Sequence, residues 1–154
     1  MGESIPKFAV DAMLGKLAKW LRMLGYDTLY NPRFSLSKLA KLGSKENRIM
    51  LTRNRRLYET APNICGYIVS SAHFPEQLSE IIKKFSLEKE KYLFTRCTIC
   101  NEKVFSIDKK EVLDRIPSFV SRTYAEFFLC PVCSRIYWPG SHFKHVREKL
   151  QEIT

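Results

Sequence analysis

Two pairs of cysteines constrain this chain more than anything else in it. Cys97 and Cys100 close one C-x-x-C turn, Cys130 and Cys133 close another, and residues 101–129 lie between them. A C-x-x-C turn aims two sulfurs at one point, so two such turns supply the four thiolates of a tetrahedral site. The spacing predicts a structural zinc ion held by Cys97, Cys100, Cys130 and Cys133, closed to solvent chemistry because all four positions are filled. Two disulfides are the competing reading, and a reducing compartment disfavours them. A single redox C-x-x-C leaves the other pair unexplained. Cys65, in the apolar stretch Ile64-Cys65-Gly66-Tyr67-Ile68, is expected to be a buried small hydrophobe.

Charge narrows the partners. The 154 residues carry 26 Lys and Arg against 16 Asp and Glu, a net charge of +10. A surplus of that size favours polyanions, either nucleic acid or an acidic membrane surface. No apolar run approaches the ~20 residues that span a bilayer. The opening MGESIPKFAV lacks the basic region and long apolar stretch of a signal peptide, so the expected location is the cytoplasm. The surplus is concentrated: residues 1–70 hold 12 basic and 5 acidic side chains, whereas residues 71–90 hold 3 and 4. The first segment is where a phosphate backbone is expected, and a generally basic, solvated surface is the plainer alternative.

Residues 7–85 alternate between strand and helix patterns. Phe8-Ala9-Val10 is a short apolar run ending at Asp11. Leu14, Leu17, Ala18, Leu21 and Leu24 follow at helical spacing, with Lys16, Lys19 and Arg22 as a basic stripe on the other side and Gly25 as the stop. Strands are predicted at residues 28–30, 48–51 and 67–69. Helices are predicted near 36–42 with Ser35 as cap, over 54–60, and over 74–85. Hydrophobic residues make up 45% of the chain, enough to build a core beneath such layers. Alternation with connections this short implies a parallel sheet flanked by helices, whose ligand crevice lies beyond the carboxyl ends of the strands. Asp11 and the stretch Thr52-Arg53-Asn54 both fall at that end, and Asp27, just before the second strand, falls at the opposite edge. Residues 86–95 read as a charged linker. The expected organisation is an α/β domain over 1–88 and a zinc module with a C-terminal helix over 89–154, the helix running from about 143 to 153.

Several of these stretches together resemble one family. Residues 8–28, from Phe8-Ala9-Val10-Asp11 through Trp20-Leu21-Arg22-Met23-Leu24-Gly25-Tyr26-Asp27-Thr28, are similar to the opening of the Mut7-C RNases. So are Ile49-Met50-Leu51-Thr52-Arg53-Asn54-Arg55-Arg56-Leu57, the two cysteine turns, Arg115-Ile116-Pro117 and Tyr137-Trp138-Pro139-Gly140-Ser141-His142. The resemblance implies a PIN-like α/β nuclease fold followed by a small four-cysteine zinc ribbon, and a metal-dependent ribonuclease activity. Such chemistry needs carboxylates at the strand ends to hold Mg²⁺ or Mn²⁺ against the scissile phosphate. Asp11 matches the family's first acid. The third-strand motif, which in the family ends in Thr-Arg-Asp, ends here in Asn54. The stretch after the second strand, where the family carries acids, is Asn31-Pro32-Arg33-Phe34-Ser35-Leu36-Ser37-Lys38 and has none.

The candidate catalytic residues are therefore Asp11 and Asn54. The candidate RNA contacts are Arg33, Arg53, Arg55, Arg56, Lys16, Lys19 and Arg22. Glu46 and Glu59 are the acids that remain to complete a metal site. Plainer readings stand beside these. Asp11 and Asn54 also fit helix caps, and the basic stripe fits the wet side of an amphipathic helix. Tyr137 and Trp138 fit either base stacking or the small core of the zinc module, and His142 and His145 fit the surface or an RNA contact. Three functions remain: an RNA-binding protein with a carboxylate-depleted nuclease site, an active metal-dependent ribonuclease working through Asp11, and a protein–protein adaptor using the zinc module. RNA is the expected partner of the first two, with no class of RNA singled out.

Overall fold

A computed structural model describes residues 4–153. In chain order the first unit contains β1 (Phe8–Val10), α1 (Gly15–Met23), β2 (Thr28–Leu29), α2 (Leu36–Lys45), β3 (Ile49–Thr52), α3 (Leu57–Thr60), β4 (Gly66–Ile68) and α4 (Glu76–Phe85). The four strands form one parallel sheet in the order β2-β1-β3-β4. Strands buried on both faces read as continuous apolar runs, which is why FAV and IML carry no alternation. Phe8, Val10 and Leu51 pack with Leu17 and Leu21 of α1 and Leu78 and Ile81 of α4. Ala9 and Met50 face the other way, against Leu39 and Ala40 of α2 and Leu57 of α3.

Local signals explain the helix ends. The Ser35 hydroxyl accepts the Lys38 N–H at 3.1 Å, capping α2 as its position predicts. Gly25, after α1, has φ +95°, and a Cβ there would collide with the Tyr92 carbonyl oxygen. The short helix α3 starts at Leu57 rather than at Asn54, which lies in the turn before it.

The second unit holds β5 (Phe105–Ile107), α5 (Ser118–Thr123), β6 (Phe127–Leu129) and β7 (Ile136–Tyr137). Its three strands are antiparallel in the order β5-β6-β7. One face of this sheet covers a small core of Val112, Ile116, Val120 and Phe127.

The last helix, α6 (Ser141–Glu152), departs from its expected place in the zinc module. Its Val146 and Leu150, with Ile153 just beyond, join the cluster containing Leu17, Leu21 and Leu78. The Phe143 ring stacks on Phe94 at 4.1 Å, and Arg147 pairs with Glu90 at 2.7 Å. The Lys89 ammonium donates to the Leu150 and Ile153 carbonyls at 3.4 and 3.1 Å, ligating the end of the helix. The 86–95 stretch is thus a docking surface for α6, and packing groups the helix with the parallel sheet. The cysteine module is an excursion between residues that share one core. Cys65 is a second departure: it is exposed, because β4 is the outer strand of its sheet and its flanks are only half-buried.

Candidate metal centre and sheet-edge site

The two C-x-x-C turns fold as near copies of each other. Asn101 follows the first turn with φ 65°, and Ser134 follows the second with φ 62°. The Asn101 N–H donates to the Cys97 carbonyl at 2.9 Å, and the Ser134 N–H donates to the Cys130 carbonyl at 3.0 Å. Both turns thereby aim their sulfurs inward, and all four Sγ atoms lie within 4.8 Å of one another. Cys97 and Cys133 Sγ are 3.7 Å apart. Zn–S bonds of about 2.3 Å in a regular tetrahedron place sulfurs about 3.8 Å apart, so the donor set fits an ion of that size. A disulfide, at about 2.05 Å, does not fit this separation. Burial of Cys97 opposes ionisation, yet the Tyr137 hydroxyl 2.9 Å away and the N–H groups of Cys100 and Ile99 outweigh it and bring the thiol down to about 7. Burial and the other three sulfurs push Cys100 up to about 12. One thiolate therefore forms readily, whereas Cys100 and Cys130 are held back from ionising unless a cation joins them. The four cysteines are positioned to hold a metal ion.

This module is bound to the amino edge of the parallel sheet. Arg22 was expected on the wet side of α1; it is buried, with 8% exposure. Its Nη1 donates to the Thr98 and Ile99 carbonyls at 3.1 and 3.2 Å, inside the first cysteine turn, and its Nε donates to the Thr28 carbonyl at 3.0 Å. That geometry takes Arg22 out of the solvent-facing stripe. Asn101 adds a second tie: its Nδ2 donates to Asp27 Oδ1 at 2.7 Å, and its Oδ1 accepts the Thr28 N–H at 2.9 Å. Arg48 Nη1 also donates to Asp27 Oδ1, at 2.7 Å, and its Nε donates to Glu46 at 2.8 Å. Burial alone would raise the Asp27 pKa; the Arg48 and Asn101 hydrogen bonds reverse that and hold it below the usual carboxylate range. Asp27 is at the edge the sequence predicts for it, and Glu46 is committed there too, away from Asp11.

The carboxyl edge is built differently. The chain leaves β1 through α1 to β2 on one side and later returns to β3 on the other, so β1 and β3 flank the reversal point of the strand order. Asp11 and Thr52 meet there: the Thr52 hydroxyl donates to Asp11 Oδ2 at 2.6 Å, and the Thr52 hydroxyl oxygen accepts the Asn54 N–H at 3.0 Å. Asp11 makes no side-chain cap bond to the following turn. Asn54 Oδ1 accepts the Arg56 N–H at 2.9 Å, so its side chain shapes the turn into α3. Arg33, Arg53, Arg55 and Arg56 are all exposed, as are Lys16 and Lys19 on α1. Glu59 is exposed on α3. Among the described residues, the cysteines are the one group of three or more His, Cys, Asp or Glu side chains whose ligand atoms converge.

One carboxylate at this edge escaped sequence reasoning. Glu80 of α4 accepts from the Tyr67 hydroxyl at 2.7 Å, from the Ser70 N–H and hydroxyl at 2.9 and 2.8 Å, and from the Ser71 N–H at 3.1 Å. These bonds outweigh burial and lower its pKa. Glu80 latches the loop after β4, and its lone pairs are taken by those donors. Its place on a mixed helix, Glu76–Phe85, carries no local mark of that role.

Fold and sites together define an α/β domain with a four-stranded parallel sheet, carrying a four-cysteine metal-binding module. Residues 6–150 match the family described as the Mut7-C RNAse domain, and the chain belongs to that family. No curated protein and no solved structure matches the chain.

Proposed function

We propose that this Mut7-C chain is an RNA-binding protein whose PIN-like nuclease crevice has lost most of its acids and grips phosphate directly. The observation behind this reading is the partner of Asp11, a threonine hydroxyl at 2.6 Å rather than a second carboxylate. A divalent ion at the crevice would have one formal charge from Asp11 and only an amide from Asn54. Arg33, Arg53, Arg55 and Arg56, exposed on the same edge, repel such an ion and attract phosphate, which a guanidinium binds through two parallel hydrogen bonds. Binding of this kind draws its affinity from released counterions. On this reading the ion of the cysteine module is structural zinc, supported by a sulfur spacing that suits its bond length and by four thiolates that fill its coordination.

Family membership favours a second reading, hydrolysis at Asp11 with Mg²⁺ or Mn²⁺. Mg²⁺ is often held by one or two carboxylates together with substrate phosphates, so a single acid is the least that such a site needs. A cleavage assay separates the two readings. Labelled RNAs are incubated with Mg²⁺, Mn²⁺ or brief EDTA, beside an Asp11→Ala variant, with zinc content checked throughout. The expected result is RNA binding without cleavage, unchanged by EDTA. Metal-dependent cleavage that disappears in Asp11→Ala would overturn the binding-only reading in favour of the ribonuclease.

A further inference from the structure

A groove of about 720 Å³ lies between α1, the 93–96 stretch, the cysteine module and the start of α6. Its composition follows from the three-stranded sheet. Phe127, Ile107 and Ile136 turn to the module's small core. Phe128 pairs across the strands with Tyr137, and alternation sends both to the opposite face, where they line the groove. Among the described residues, Phe128, Tyr137 and Phe143 belong to none of the three apolar clusters, yet all three line this one groove. Lys19, Arg96 and Arg135 bring three cations to it, against Glu126 as the acid. Lys19 lies three residues, about 4.5 Å, beyond Lys16 along α1. α1 begins at the carboxyl edge of the sheet and reaches the first cysteine turn at Arg22.

We infer that this groove is a second nucleic-acid subsite, taking an unstacked base of single-stranded RNA on Phe128 and Tyr137 while Lys19 and Arg135 hold the adjoining phosphates. Aromatic side chains presented on an open sheet face beside cations are what an unpaired base and its phosphate require. An acidic peptide would satisfy the cations but not the ring faces. The exposed Lys16 and Lys19 join the groove to the arginines of the strand-end crevice, so one strand occupies both. This inference rests on the RNA-binding reading, and the following experiment separates their failures.

The zinc-loaded full chain is titrated with a short oligouridine carrying 4-thiouridine, cross-linked, and mapped by peptide mass spectrometry. Beside it run an edge variant (Arg53→Ala, Arg55→Ala, Arg56→Ala) and a groove variant (Lys19→Ala, Phe128→Ala, Arg135→Ala). Zinc content and melting temperature verify the fold. Should the groove variant fail that check, Arg135→Glu alone, an exposed charge reversal, takes its place. The expected result is cross-links on the β6 and β7 peptides and roughly tenfold or greater loss of affinity in the groove variant. The slope of log affinity against log salt should fall by about 0.7 for each phosphate contact removed. RNA bound equally by parent and groove variant, with cross-links confined to the 52–56 turn, overturns the groove and leaves the edge reading standing. No RNA bound by the parent at low salt overturns both.

Discussion

The two ends of the parallel sheet use the same residue types to opposite effect. At the amino end, Arg48 is shared between Asp27 and Glu46, Asp27 also accepts from Asn101, and Arg22 is buried against a cysteine turn. At the carboxyl end, Arg33, Arg53, Arg55 and Arg56 stand in solvent, and the one central acid is bonded to a hydroxyl. Arginine at the first edge is a fastener, because its fork meets carbonyls and carboxylates fixed in place. At the second edge it remains open to a phosphate from outside. Charge alone does not distinguish the two roles; the presence of carbonyls and carboxylates fixed within reach of the guanidinium does.

The largest test removes the metal. The cysteine module holds the amino edge through Arg22 and Asn101, so chelation or Cys130→Ser should unfold the module and lower the melting temperature of the whole chain. Structural zinc contributes on the order of 10 kcal/mol of binding free energy in small modules. A melt of the sheet unchanged by metal loss would break the contrast, by showing that the fastened edge is held without the module.

Asp27→Ala comes next, with an expected cost of about 2–4 kcal/mol in denaturant unfolding, since it leaves the buried Arg48 and the half-buried Asn101 with a partner lost. Because its folded pKa is lowered, the contribution of Asp27 is complete above the ordinary carboxylate value of about 4 and fades as pH falls below it. The stability gap between parent and Asp27→Asn should therefore shrink in acid; a gap that widened would overturn the assignment of Asp27 as the anionic partner.

Thr52→Val should cost about 1–2 kcal/mol, by stripping a 2.6 Å hydrogen bond from Asp11 and an acceptor from the Asn54 N–H. The smallest effect on stability is expected from the triple change of Arg53, Arg55 and Arg56 to Ala, since exposed side chains outside networks seldom matter to folding. Its effect on RNA should be large, with weaker binding and a salt slope lower by up to about 2. A triple variant that lost stability but kept RNA affinity would invert the comparison between the edges.

Much of this could be read from local pattern. The cysteine turns declare themselves by spacing, the four strands by apolar runs of three or four residues, and the edge on which Asp27 falls by its place before β2. The misses share a cause. Arg22 sits three residues after Lys19 on what looks like a solvent stripe, but the cysteine module, 76 residues away in sequence, covers that part of the helix. Helix α6 follows the module in the chain and docks elsewhere. Cys65 has apolar neighbours but lies by an outer strand. Glu80 looks like any helix-surface acid until the loop after β4 folds over it. Periodicity reports which face of an element is apolar, and it is silent on what a distant segment lays across the other face.

The return of α6 to the first core also bears on how this protein is made. Phe8 and Ile153 belong to one apolar cluster, so the layer that contains Phe8 is completed only when residue 153 is in place. An amino-terminal unit that folds while the rest is still emerging leaves this layer without Val146, Leu150 and Ile153 until α6 arrives. The contacts that close it are of high sequence separation, and such contacts form slowly.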